Sequence, residues 1–360
     1  MNKIWFFNDE AFNRLCDLMY IVSPSMEENA MANYLRQYWM SLGASVKTDV
    51  MGNVHASFKS QETLNIGIVA HMDTVAVQII KILSNGLLQM RHIGLKPHTL
   101  LGQSMKVLTK NGIIDGIIGF DPTSQYSQPK GLVDEDLWMD IGASNYDQAK
   151  KMVEIGDLAV FAPRVVEMGQ GFICGTAIDD RIGLFVLNEC MRWFSVNSVS
   201  ANLHFMGSVQ EEVGLRAASI LAANTPMDAC FVIDVDYATD TPTPHDNQMG
   251  VLCMGQGIGM HVKSDNNPVL RRICKEVADG EGISYQLSLG RFIYGGTDGA
   301  SLQIQQKGIA TVNINIPCRY MHSPIEMCNK QDVENAIHLL VAVIRELAKH
   351  NQNSFIPGID

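Results

Sequence analysis

Apolar residues at Phe12, Leu15, Met19 and Val22 recur at helical spacing behind Asn8, a capping residue, and predict an amphipathic helix near the start of the chain. Ser25-Met26-Glu27-Glu28 has the spacing of a capping box. Tyr34, Leu35 and Tyr38 continue an apolar face behind it, and Gly43 is placed to end this second helix. The period then shortens to that of strands. Residues 46–50 and 54–58 flank Gly52-Asn53 and predict a β-hairpin, and the apolar run 64–70 predicts a buried strand. From about 75 to 163, short β-rich runs (75–83, 86–90, 106–109, 113–120) are punctuated by Asn-Gly turns at 85–86 and 111–112. That is the texture of an inserted β-barrel or sandwich, with 121–131 as one of its loops. After Pro163, helices over 180–194, 214–223, 268–279 and 331–349 alternate with strands over 202–209, 229–233 and 309–316. The expected fold is α/β: a mixed central sheet flanked by helices (1–74 and 164–360), interrupted by a small β-barrel-like module (75–163).

Composition narrows the function classes. A chain of 360 residues with 46% apolar and 18% charged residues is long enough for about two packed domains and unlike a disordered segment. A net charge of −11 opposes non-specific attraction to nucleic acid or an anionic membrane. The uncharged stretch 247–262 carries Gly250, Gly255, Gly257 and Gly259 and is too short to span a bilayer, and the opening apolar run 4–7 is too short for an export signal. Eight cysteines with no Cys-x-x-Cys pair fit reduced thiols better than a disulfide frame. The expectation is a soluble cytoplasmic protein.

His71 immediately follows the predicted strand 64–70, where side chains of an α/β sheet converge on a ligand crevice. Taken alone, one histidine there is as well explained by a neighbouring carboxylate. Further polar groups emerge at comparable places: Asp179-Asp180 at a helix start, Glu211-Glu212 after strand 202–209, Asp234 and Asp236 after 229–233, and His322 after 309–316. Helix capping explains one of the paired aspartates but not both. Two His (71, 322), three carboxylates (179, 212, 234) and a spare Glu211 form a donor set without thiolate. Such a set suits two divalent ions, zinc first, with cobalt or manganese as alternatives. Two ions about 3.5–4 Å apart can activate a bridging water and polarise a carbonyl, with the spare acid as general base.

These residues lie in motifs that resemble the TET-type aminopeptidases, the dinuclear glutamyl and deblocking aminopeptidase family. The motifs are Ala70-His71-Met72-Asp73, the segment 134–143, Ala177-Ile178-Asp179-Asp180-Arg181-Ile182-Gly183, Glu211-Glu212-Val213-Gly214-Leu215-Arg216, Asp234, Gly295-Gly296-Thr297-Asp298 and His322-Ser323-Pro324-Ile325-Glu326. The resemblance implies that His71 and Asp234 bind one metal, Glu212 and His322 the other, and Asp179 both. It further implies Glu211 as general base, Asp73 behind His71, and Asp180 as partner of the bridging residue rather than a ligand. It also implies that the inserted module is a dimerisation domain, that dimers assemble into a homo-oligomeric dodecamer, and that short peptides are the substrates. Thr74, Val75 and Ala76 depart from the family's usual continuation after Asp73. Asp236 is the alternative to Asp234, and the 295–299 glycine-rich segment is either a substrate-contacting loop or a turn capping the next helix. The other eight histidines, His55 and His204 among them, receive no role. Two other readings compete. One is a glycoside hydrolase built on Glu211 and Glu212, disfavoured because neighbours in an extended segment point to opposite sides. The other is a non-catalytic assembly or peptide-binding protein, disfavoured by the intact donor set.

Overall fold

The computed structural model describes residues 7–121, 132–242, 249–291, 293–349 and 355–357. Its centre is an eight-stranded mixed sheet in the order Ser45–Thr48, Val54–Phe58, Asn202–Ser208, Asn65–His71, Ala229–Tyr237, Ala310–Cys318, Ile258–His261, Tyr285–Ser288. The middle four strands run parallel, so their carboxyl ends lie along one edge. They are buried on both faces and mostly apolar. Ile66, Ile68, Phe205, Phe231 and Ile233 pack into the main core with the helices Ile178–Val196 and Lys330–Leu347. Val69, Met206, Cys230 and Val232 face the other way, against Ala218 and Leu221 of the short helix Ala218–Asn224. That division is the period-two alternation of a strand made visible.

Six strands close a barrel in the order Ala76–Ile82, Leu88–Ile93, Leu137–Asp140, Gly112–Phe120, Ser104–Thr109, Leu158–Phe161. The barrel has its own core, including Val77, Ile79, Leu88, Met90, Met105, Val107 and Met139. Closure comes from pairing of Val77 with Ala159, which leaves the ring no open edge. The expected α/β architecture with an interrupting barrel is therefore what the chain forms. A three-stranded sheet, Val165–Met168, Phe172–Gly175 and Glu326–Asn329, then places Glu326 opposite Gly175, directly before the helix that carries Asp179.

Several local expectations change. The first helix, Asp9–Met19, is capped by Asn8, whose side chain accepts from the Ala11 amide, but it stops before Val22. The second, Asn29–Ser41, has Glu28 at its N-cap without a side-chain cap; Ser25 and Glu28 are engaged elsewhere, as described below. The strand expected to end at 233 continues through Asp234 and Asp236 to Tyr237, and the one expected to end at 316 continues to Cys318. The helix expected from 214 begins at Ala218. Most of the loop expected over 121–131 lies outside the described residues. His55 and His204, given no role from sequence, form a buried stacked pair with Nε2 of His55 3.0 Å from Nδ1 of His204. Burial holds both proton affinities down, to about 3 for His55 and about 4 for His204, so the pair is neutral near pH 7. All eight cysteines are free.

Candidate metal centre

His71 is the last residue of the strand Asn65–His71, and its neighbour in register is Ser208, the last residue of Asn202–Ser208. Asp234 projects from the adjoining strand, His322 follows Ala310–Cys318, and Asp179 sits at the foot of the helix Ile178–Val196. Asp179 and Asp180 have non-helical backbone angles, so regular helix begins only at Arg181. Asp180 Oδ1 accepts the Gly183 amide at 3.0 Å, which is ordinary capping. Asp179 is thereby left to face the cleft.

The geometry gathers all five candidate ligands. His71 Nε2 lies 3.0 Å from Asp179 Oδ1 and 3.9 Å from Asp234 Oδ1. His322 Nε2 lies 3.3 Å from Asp179 Oδ2 and 3.2 Å from Glu212 Oε2. Asp179 therefore turns one oxygen to each imidazole. Donor atoms of His71, Asp179 and Glu212 fall within 4.8 Å of one another, as do those of His71, Asp180 and Asp234. Asp180, which the family resemblance places outside the ligand set, thus stands within reach of the second group as well.

Asp73 organises this centre from behind. The Nδ1 of His71 is 3.1 Å from the Asp73 carbonyl and 3.5 Å from its carboxylate, a pattern that keeps a proton on Nδ1 and turns Nε2 toward Asp179. The same carboxylate accepts the Ser25 hydroxyl at 2.7 Å and the amides of Glu211 and Glu212 at 3.0 and 3.1 Å. Glu28 accepts the Gln210 amide at 3.1 Å, and Asn53 accepts that of Val209 at 2.9 Å. Residues 209–212 form a pinned turn with Gln210 at φ +59°, not an extended segment. Glu211 and Glu212 consequently line the same cavity, which overturns the argument that neighbouring acids there must point apart.

Electrostatics mark the cluster as crowded with negative charge. Burial, and then neighbouring carboxylates, push Glu211, Asp234 and Asp180 well above the ordinary carboxylate range despite the opposing pull of His71. Burial also opposes charge on Asp179, yet hydrogen bonds from His322 and His71 hold it well below that range. Burial likewise works against charged His71 and His322, and their carboxylate partners outweigh it. Glu212 Oε1 and Asp180 Oδ2 are buried with no hydrogen-bond partner. A divalent cation supplies what such oxygens lack, so the donor set fits a metal.

The cavity of about 260 Å³ continues away from these acids to Asp236, His261, Lys263, Gly290, Arg291 and the glycines 295–296. Asp236, the alternative to Asp234, accepts from His261 Nε2 at 2.8 Å and from the Ser288 hydroxyl. Asp298 does not cap the helix Gly299–Leu302; it accepts the buried Ser208 hydroxyl, while Gly295, Gly296 and Thr297 line the cavity. Sequence reasoning gave no role at the site to Glu326 or Arg181, and gave Ser25 only that of a helix cap. Glu326 and Arg181 lay inside quoted motifs, but no spacing rule announces a hydrogen bond to a residue 147 positions away.

The parallel strand ends deliver two imidazoles and a set of carboxylates to one cavity, an arrangement that fits a metal-dependent hydrolase. The model of the M42 glutamyl aminopeptidase family matches residues 52–339. The lysyl aminopeptidase of Pyrococcus furiosus is 33% identical over 308 residues, covering 84% of this chain and 87% of that protein. The structure of a TET aminopeptidase from a marine sediment Thaumarchaeota archaeon superposes with a TM-score of 0.88 at 30% identity, covering 94% of this chain and 97% of the other. The Pyrococcus horikoshii TET1 peptidase, which can assemble into a tetrahedron or a large octahedral shell, gives 0.84 at 27% identity over 94% and 100%. The chain belongs to the M42 glutamyl aminopeptidase family, and the resemblance read from its motifs is borne out.

Proposed function

We propose that this chain is a dinuclear metallo-aminopeptidase that removes N-terminal residues from short peptides. The observation that carries the reading is Asp179, with one oxygen toward His71 and the other toward His322. His71 and Asp234 would hold one ion, Glu212 and His322 the other, and Asp179 both, with zinc the first candidate. When bound, two such ions polarise the scissile carbonyl and lower the pKa of the attacking water. Glu211, on the same pinned turn as Glu212, accepts the proton of that water and delivers it to the departing amine. Asp73 keeps His71 in one tautomer and fixes the Glu211-Glu212 backbone. The remaining acidic wall of the cavity attracts the substrate ammonium group. A peptide with a free amino terminus is expected to lose residues one at a time, and the N-acetylated peptide or an exhaustively chelated enzyme should give no turnover. Cleavage of an internal bond in an acetylated, unfolded protein, or full activity after chelation, contradicts the reading. A carboxylate-pair glycosidase is favoured instead if peptides are not cleaved and a glycoside is hydrolysed equally well after chelation.

The far end of the cavity supports a preference for acidic N-terminal residues. Lys263 has three donors, of which one meets the Gly295 carbonyl at 2.7 Å, and Asp265 stands 4.0 Å away. Gly290, at φ +60°, leaves this corner open: a Cβ there would lie 3.1 Å from His261 Nε2 and 3.4 Å from Lys263 Nζ. Lys263→Met is expected to lower kcat/KM for glutamyl substrates by about 10–100-fold, while leucyl substrates change little. Equal losses on both, measured with aminoacyl-p-nitroanilides, count against the assignment.

The barrel supports assembly. Ile80, Ile113, Ile117 and Val133 are large apolar residues exposed on the 75–163 segment. We assign this segment as the dimerisation unit of a homo-oligomer, by analogy with the TET shells a dodecamer built from dimers. Sedimentation should show an assembly much larger than the 39.7 kDa chain. A stable, active monomer at micromolar concentration would remove this reading. Free thiols and the acidic charge fit a cytoplasmic protein. No helix of the described residues is long and apolar enough to cross a membrane.

A further inference from the structure

Glu326 is fully buried, at 1% exposure, and stands outside the candidate ligand set. Its two oxygens are nevertheless divided between two ligand-bearing residues: Oε2 accepts the Asp179 amide at 2.9 Å and Oε1 accepts the His322 amide at 2.7 Å. These residues come from distant parts of the chain. Asp179 opens a helix, and His322 stands at φ +59° in a bend after Ala310–Cys318. Neither the helix nor the bend fixes the other's position. Glu326 can do so because it is the first residue of the strand Glu326–Asn329, paired with Gly175, four residues before Asp179. Burying a carboxylate beside Asp179 is unfavourable unless it is hydrogen-bonded, and its two amide contacts are both spent on this one spacing.

Resting on the two-metal reading, we propose that Glu326 is a positioning residue that sets the distance between Asp179 and His322. Through them it sets the affinity of the ion held by Asp179, Glu212 and His322. His71 and Asp234 reach the cluster from strands that Glu326 does not touch, so the other ion depends on it less.

Glu326→Gln tests this. The amide has nearly the shape of the carboxylate but only one accepting oxygen, and its NH2 group must confront one of the two backbone amides. In the assembled protein loaded with cobalt, chelator competition should show one ion held about 10–100-fold more weakly than in the parent and the other nearly unchanged. The d–d absorption of one site should drop out first, and excess metal should restore it. Thermal unfolding of the chelated variant should fall only a few degrees below that of the chelated parent, as expected for one lost buried hydrogen bond, while the metal loss stays confined to one ion. Glu326→Asp, whose shorter side chain cannot span both amides, should show the same selective loss. Two ions bound as tightly as in the parent, or equal loss of both, overturn the proposal. A parent that binds only one ion overturns the two-metal reading itself, and this proposal with it.

Discussion

Glu211→Gln should lower turnover by roughly 10²–10⁴-fold while the protein keeps both metals when metal is saturating. The substitution retains size and one accepting oxygen but removes the site that takes a proton. Burial and the nearby Asp234 and Glu212 raise the proton affinity of Glu211, with His71 opposing, so its environment is one in which a carboxyl group readily takes up a proton. Bound cations would draw that affinity back toward the working pH range. The backbone of Glu211 is held by the Asp73 carboxylate at 3.0 Å, a contact the substitution leaves intact, so the loss should fall on kcat rather than on folding or metal content. Metal analysis and steady-state kinetics on the same preparation check it. If metal disappears with activity, Glu211 is a ligand and the roles of the two neighbouring acids are exchanged.

The fold was legible wherever a segment obeyed one period. The central strands 65–71 and 202–208 are mostly apolar because helices cover both faces, and the barrel announced itself by Asn-Gly turns between short runs. Legibility failed where the site broke a local rule. Asp234 and Asp236 in a central parallel strand read as its end, since buried acids seldom interrupt such a strand, yet the ladder runs on to Tyr237 paired with Cys318. Ser25 and Glu28 have the spacing of a helix cap, but their side chains serve Asp73 and Gln210 instead. The four-residue strands Ile258–His261 and Tyr285–Ser288 are too short to show a period between flanking glycines. The candidate ligands could be named because each lies beside a strand end or helix start and matches a motif. Of their supports, Asp73 came with its motif, but its hold on the 211–212 amides and the contacts of Glu326 and Arg181 did not, because these are hydrogen bonds to main-chain groups, for which any residue type will serve.

Asp179→Asn should have the largest effect on metal content, and comparison with Glu212→Gln shows why. Glu212 pairs with His322 at 3.2 Å and stands farther from His71, whereas Asp179 meets both imidazoles within 3.3 Å. Losing the Glu212 charge should weaken one ion, and added metal should recover part of the activity. The asparagine at 179 can offer one neutral oxygen to one side, and its NH2 must face the other. Both ions lose a charged ligand or gain a misplaced donor, and the mutual repulsion of the remaining acids is reduced too little to compensate. Activity is expected to fall to that of the chelated enzyme and to stay there when metal is added at concentrations that rescue Glu212→Gln. The Asp179 amide still meets Glu326, and Asp180 still caps the helix through Gly183, so far-UV circular dichroism should be unchanged. If Asp179→Asn keeps one ion as tightly as the parent, Asp179 does not serve two metals, and the two halves of the centre must be held by separate carboxylates, with Asp180 beside His71 and Asp234.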